Sequence, residues 1–146
     1  MKPVMQLVLN ARNGDCFRAC LASILEYPIE CIPNFGMYND VTWFKEAAKW
    51  LGETLGLGLL AVDPDDTNTY HMLMLMFDRE TYHIACGKGP RGPHACVGRC
   101  GKIVHDPNPL GGELESQDLW MFLVALNPAK IVSDDDRAAA EVQEIL

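Results

Sequence analysis

Apolar residues first recur at helical spacing early in the chain. Phe17, Cys20, Leu21, Ile24 and Leu25 are three or four positions apart, which places them on one face of a helix over residues 16–26. Asn13-Gly14-Asp15 ahead of it reads as a turn. Asp15 stands where an N-cap carboxylate would accept from the free amides of the first helical turn, and Pro28 ends the helix. Residues 28–40 are rich in Pro, Asn and Gly and read as a loop with room for one helical turn near Ile29. A second stripe, Phe44, Ala47, Ala48 and Leu51, alternates with Lys45, Glu46 and Lys49 and predicts a helix over 41–55; Trp43 and Trp50, seven apart, share a face of it for packing.

Beyond residue 56 the pattern changes to short apolar runs. Residues 57–62, 82–86, 94–98, 102–105 and 119–126 read as strands. Residues 4–9 read as a short strand or an extended lead-in. Residues 70–77 are apolar after His71 and fit a buried strand or a short helix equally well, with Met72, Met74 and Met76 in the core either way. Gly87-Lys88-Gly89-Pro90-Arg91-Gly92-Pro93 reads as a turn-rich connection and Arg99-Cys100-Gly101 as a tight hairpin turn. Helices first and an antiparallel sheet after them is the α+β pattern. One domain over residues 1–131 is expected, followed by an acidic tail over 132–146 that begins like a capped short helix, with Asp134, Asp135 and Asp136 at its positive end.

Composition narrows the range of functions. The formal net charge is −8, which repels phosphate backbones and argues against a nucleic-acid polymer as partner. No apolar run reaches the ~18 residues of a membrane span, and the first residues lack a signal-peptide core. No membrane partner and a cytoplasmic location are therefore expected. In a reducing compartment the six cysteines stay free thiols.

Three positions carry candidate chemistry. Cys16 opens the first helix, where the positive helix end lowers a thiol pKa, and Gly14 leaves space in front of the sulfur. His94 follows Pro93 at a strand start. Asp106 closes the next strand, stopped by Pro107, and a hairpin turning at residues 99–101 sets His94 and Asp106 side by side. His105 alternates to the other sheet face, His71 and His83 show no partner pattern, and Cys20 belongs to the core. Cys96 and Cys100 with His94 and His105 lack a second cysteine pair, so neither a metal nor another cofactor is expected.

Asn13-Gly14-Asp15-Cys16-Phe17-Arg18-Ala19-Cys20, Pro93-His94-Ala95 and Val104-His105-Asp106-Pro107 together resemble the papain-like cysteine peptidases. They are most similar to the double-glycine leader peptidases of bacteriocin exporters and their phage-encoded relatives. The resemblance spans residues 4–126 in order and spacing. It implies a papain-like fold with N-terminal helices packed on a C-terminal antiparallel sheet, and a thiol hydrolase acting on a peptide, isopeptide or small-molecule acyl bond. The triad would be Cys16, His94 and Asp106, with Gly14, Asp15, Gly92 and Pro93 in the loops of the substrate cleft. For a phage-encoded chain the location would be the host cytoplasm. The family carries a Gln six residues before the cysteine, where this chain has Asn10. Gln6 has the reach to serve as the oxyanion donor and is preferred, with Asn10 second. The alternative is a papain-like binding protein that sequesters a small ligand or host partner without turnover.

Overall fold

In the computed structural model, which describes residues 1–10, 12–66, 68, 71 and 81–127, the first helical stripe forms helix α1 (Cys16–Leu25). Glu26 closes it in the left-handed region at φ 52°, returning its amide to the Ala22 carbonyl, so the helix stops ahead of Pro28. Two single turns follow, Ile29–Cys31 and Phe35–Met37. The sequence leaves room for the first. The second is built by Asn34, which accepts from the Gly36 amide at 3.0 Å and donates to the Asn13 carbonyl at 3.2 Å. Helix α2 (Trp43–Leu55) begins two residues later than the stripe predicts. The Asn39 carboxamide takes the Val41 and Thr42 amides at 3.1 and 3.0 Å and holds that stretch as a turn.

Strands β1 (Leu57–Val62), β2 (Tyr82–Gly89), β3 (Gly92–Arg99), β4 (Lys102–His105) and β5 (Leu119–Ala125) form one sheet in the order β1-β5-β2-β3-β4, with every neighbouring pair antiparallel. Both helices pack on one face, where Leu21, Leu51, Ile84, Val97 and Met121 make the main core. A smaller cluster of Val62, Ala85, Trp120 and Phe122 covers the other face. The chain is thus α+β, as the order of periodicities predicts.

One segment differs from expectation. Residues 87–93 are not a turn-rich connection: β2 and β3 run into them, pairing Gly87 with His94, Lys88 with Pro93 and Gly89 with Gly92, and only Pro90-Arg91 turns. Gly87, one of the glycines that signalled a loop, serves close packing instead, since a Cβ there would overlap the Ser116 carbonyl. His94 accordingly lies inside β3 rather than at its start. Residues 4–9 take the extended lead-in form and are not a strand. Segment 70–77 (all but His71) and the tail 132–146 lie outside the described residues. None of the six cysteines, all of them among the described residues, is in a disulfide, and among the described residues no helix is long and apolar enough to cross a membrane.

The second core contains one titratable group. His83 is buried between the Trp120 and Phe122 rings, at centroid distances of 4.8 and 5.2 Å, with its Nε2 unpartnered against Gly98. Burial lowers its pKa from 6.5 to about 4. Above pH 6.5 the imidazole is neutral in both folded and unfolded chains and contributes no pH dependence. As pH falls from 6.5 towards 4 the unfolded chain binds a proton that the fold resists, so stability declines by about 3 kcal/mol over that window. Urea unfolding at a series of pH values is expected to show this slope, and His83→Leu to flatten it. Gly98→Ala places a Cβ on the His83 ring and is expected to destabilise by about 1–3 kcal/mol at neutral pH in the same assay.

Candidate active site

The site begins with a carboxylate that does not cap its helix. Asp15 occupies the N-cap position of α1, but its side chain makes no capping hydrogen bond. It turns back instead: Oδ1 accepts from the Leu7 and Val8 amides at 3.0 and 2.8 Å, and Oδ2 faces Arg18 Nη1 at 3.6 Å. The expected cap is therefore absent, because two backbone amides of the lead-in segment satisfy the carboxylate first. Asp15 is 1% exposed and does not border the cleft, which corrects its expected place in the cleft loop. The first-turn amides of α1 therefore donate no hydrogen bond to the Asp15 carboxylate.

Those amides surround the Cys16 sulfur. The backbone N–H groups of Cys16, Phe17 and, from β3, Ala95 all favour negative charge on it. Burial works in the opposite direction and outweighs them, aided by the neighbouring Asp15 charge, so the thiol is pushed above its ordinary value of 9.0. The lowered thiol that the helix position predicts is overturned by desolvation. Cys16 rests as a thiol and needs a base to give up its proton.

The candidate base, His94, is positioned by an irregular hairpin. β3 and β4 pair Arg99 with Lys102 and Gly98 with Ile103, but Val97 pairs with His105, so Val104 is an extra residue in β4. The turn itself is tight, with Cys100 and Gly101 at φ 52° and 76°. Without the bulge Asp106 would oppose Ala95 and share its face. With it, Asp106 continues the register opposite Cys96, on the face that carries His94. His94 Nε2 and Asp106 Oδ1 are 2.7 Å apart, and the same oxygen accepts the Asn108 amide at 2.9 Å. This leaves Nδ1 as the ring nitrogen available for proton transfer. Asp106 Oδ2 is buried without a hydrogen-bond partner, and burial, with the Asp106 charge nearby, pushes the Cys96 thiol up. His105 Nε2 binds the Val4 carbonyl at 2.9 Å and so lies apart from the His94–Asp106 pair, in keeping with its expected alternation.

Cys16 and His94 line one cavity of about 690 Å³, within the range of small-ligand sites. Ala95 turns towards α1 and His94 to the other side of the β3 backbone, so the two groups meet the cavity from either side of a strand whose neighbour β4 has already ended. Gly14, Gly92 and Pro93 line it as expected, as does the whole β2–β3 hairpin tip. That tip is braced: Lys88 pairs with Glu115 at 3.4 Å, its carbonyl accepts the Glu115 amide at 2.7 Å, and Arg91 donates to the Gly111 carbonyl. Gln6 and Asn10 both line the cavity. Gln6 is buried, with Nε2 donating to the Val8 carbonyl at 2.9 Å, whereas Asn10 is exposed and its Oδ1 accepts the Arg12 amide at 2.8 Å.

Several lining residues escaped the sequence reading. Phe35, Tyr38 and Trp43 form an apolar wall. Trp43 also packs on Phe17 at 5.1 Å, so its expected role in packing holds alongside its place on the cavity. Cys86 lines the cavity as well, its thiol pushed up to about 12 by burial. Its position directly across from Ala95 in the β2–β3 register is the signal that would have found it.

Asp15 supports a prediction. Asp15→Ala strands the Leu7 and Val8 amides and the Arg18 charge and is expected to lower stability by about 3–5 kcal/mol. Asp15→Asn, which keeps one acceptor oxygen, is expected to lose less. Urea denaturation of the three proteins measures the ranking. Comparisons with protein-family models, with curated proteins and with solved structures return no match for this chain.

Proposed function

We propose that the chain is a papain-like cysteine hydrolase that cleaves a peptide, isopeptide or related acyl bond through a thioester. One observation carries this reading: a thiol at the head of α1 and an imidazole bonded at 2.7 Å to a carboxylate open onto the same cavity. His94 Nδ1 takes the Cys16 proton as the sulfur attacks the acyl carbon, and Asp106 holds the ring and stabilises the imidazolium. The amides of the α1 first turn and the second Nε2 hydrogen of Gln6 receive the oxyanion. The leaving group departs with the proton from His94. Water, deprotonated by His94, then releases the acyl group from Cys16.

4-Nitrophenyl acetate tests the proposal without a known substrate. Mass spectrometry is expected to find one acetyl group on Cys16, formed faster than on the exposed Cys31. His94→Ala is expected to slow Cys16 acetylation by about 10²–10⁴, and Gln6→Ala by about 10²–10³. Acetylation of Cys31 with none on Cys16, or a rate indifferent to His94, would rule the triad out.

A second reading, a binding protein with a papain-like cleft, is favoured by the raised Cys16 thiol and by the Val8 carbonyl already engaging Gln6. It predicts that Cys16→Ala leaves every cellular effect of the chain intact, where the hydrolase reading predicts their loss.

A further inference from the structure

We propose that His94, Cys96 and Asp106 bind one zinc ion, and that zinc there switches the triad off. The binding half stands on geometry alone; the regulatory half rests on the hydrolase reading above.

The three side chains present one nitrogen, one sulfur and one carboxylate oxygen, all within 4.8 Å of one another. Tetrahedral zinc, with bonds of about 2.0–2.3 Å, needs ligand atoms roughly 3–4 Å apart, so small side-chain shifts bring the set together. A mixed nitrogen, sulfur and oxygen set suits zinc, and rules against magnesium or calcium, which take oxygen ligands. A second observation sets this cluster apart from a chance grouping. Asp106 Oδ2 is buried without a nitrogen or oxygen partner, beside a Cys96 residue that is 0% exposed. Two groups able to be anionic thus lie together, a buried thiol beside a buried carboxylate oxygen, and a divalent cation would neutralise both. The i, i+2 spacing of His94 and Cys96 on β3 and the bulge at Val104 are what bring the three to one face.

Binding is a proton exchange. Zinc takes the Cys96 sulfur as thiolate and releases its proton to solvent. For Nε2 to ligate, the ring proton moves to Nδ1. His94 then has no lone pair to accept the Cys16 proton, and Asp106 no longer holds the ring as a triad member. The fourth zinc position is left to water. Cys16 is not a ligand in this scheme.

The test uses the full-length Cys16→Ala chain, so that capture by the nucleophile is removed. It is refolded or incubated with zinc sulfate and titrated against a chromophoric zinc chelator. The expected result is one zinc per chain. Loss of an outer-shell partner already weakens metal sites by 10–100-fold, so Cys96→Ser in that background is expected to weaken binding by at least ~100-fold. Circular dichroism checks that this variant folds. Cobalt in place of zinc is expected to give a thiolate charge-transfer band that Cys96→Ser abolishes. No zinc uptake, uptake indifferent to Cys96, or uptake only when Cys16 is present overturns the proposal. In the wild-type chain zinc is expected to block acetylation of Cys16, and the Cys96→Ser chain to resist that block. Zinc bound by a chain that is never acetylated would keep the site and dismiss the triad.

Discussion

The buried Asp15 carboxylate is the constraint on which the site depends. A carboxylate at an N-cap normally spends its oxygens on the first turn of its own helix. Here one oxygen is committed to two amides of the segment before the helix, Leu7 and Val8, and the other faces Arg18, whose Nε is held by the Ile29 carbonyl at 2.9 Å. Two consequences follow from one side chain. The lead-in is folded back so that Gln6 reaches the cavity, although ten residues separate it from Cys16. The head of α1 donates no hydrogen bond to the Asp15 carboxylate, which leaves its amides to the sulfur. The neighbouring contacts reinforce the fold-back: the Val4 amide binds Ser23 at 2.9 Å, and the Gln6 amide binds the Pro107 carbonyl at 2.9 Å. The last of these joins the oxyanion candidate to the residue after Asp106.

The second half of the site depends on one inserted residue. An unbulged β3–β4 hairpin turning at Cys100-Gly101 would put His105, not Asp106, on the His94 face. Val104, 46% exposed and without a residue across from it, shifts the register by one and exchanges them. Bulges beside functional sites commonly re-aim side chains in this way. The exchange also gives each residue its partner: Asp106 takes His94, and the displaced His105 ties the Val4 carbonyl to the sheet edge.

The helices and most strand cores were legible because burial on one face imposes a period that composition cannot hide. The α1 stripe and the runs at 84, 97 and 121 all fall in the main core. The proximity of His94 and Asp106 was legible too, though for an incomplete reason. A hairpin brings two strands together whether or not it is bulged, but only the bulge puts both side chains on one face, and no residue type in Val104-His105-Asp106 signals an insertion. What could not be read is of the same kind. Gly87 and Gly89 look like turn residues, yet both are strand positions, and at Gly87 the segment around Ser116 passes too close for a Cβ. The direction in which Asp15 turns depends on amides eight and seven residues upstream, a choice among competing donors that local sequence does not express.

Burial of the sulfur decides what kind of chemistry the proposed site can run. Three backbone amides favour a thiolate, but they act on a group taken out of water, and the loss of hydration is the larger effect. An exposed thiolate would react with any electrophile that reached it. A buried thiol becomes nucleophilic only as its proton moves to a nearby base, so reactivity is tied to a ligand that fills the cavity and completes the geometry. The first-turn amides of α1 then act on charge that develops on the acyl oxygen during attack rather than on charge already present, which is where fixed donors contribute most. On this view Cys16 stays protonated at rest, the apolar wall of Phe35, Tyr38 and Trp43 offers an incoming ligand a surface to fill, and the His94–Asp106 pair is the step that controls reaction.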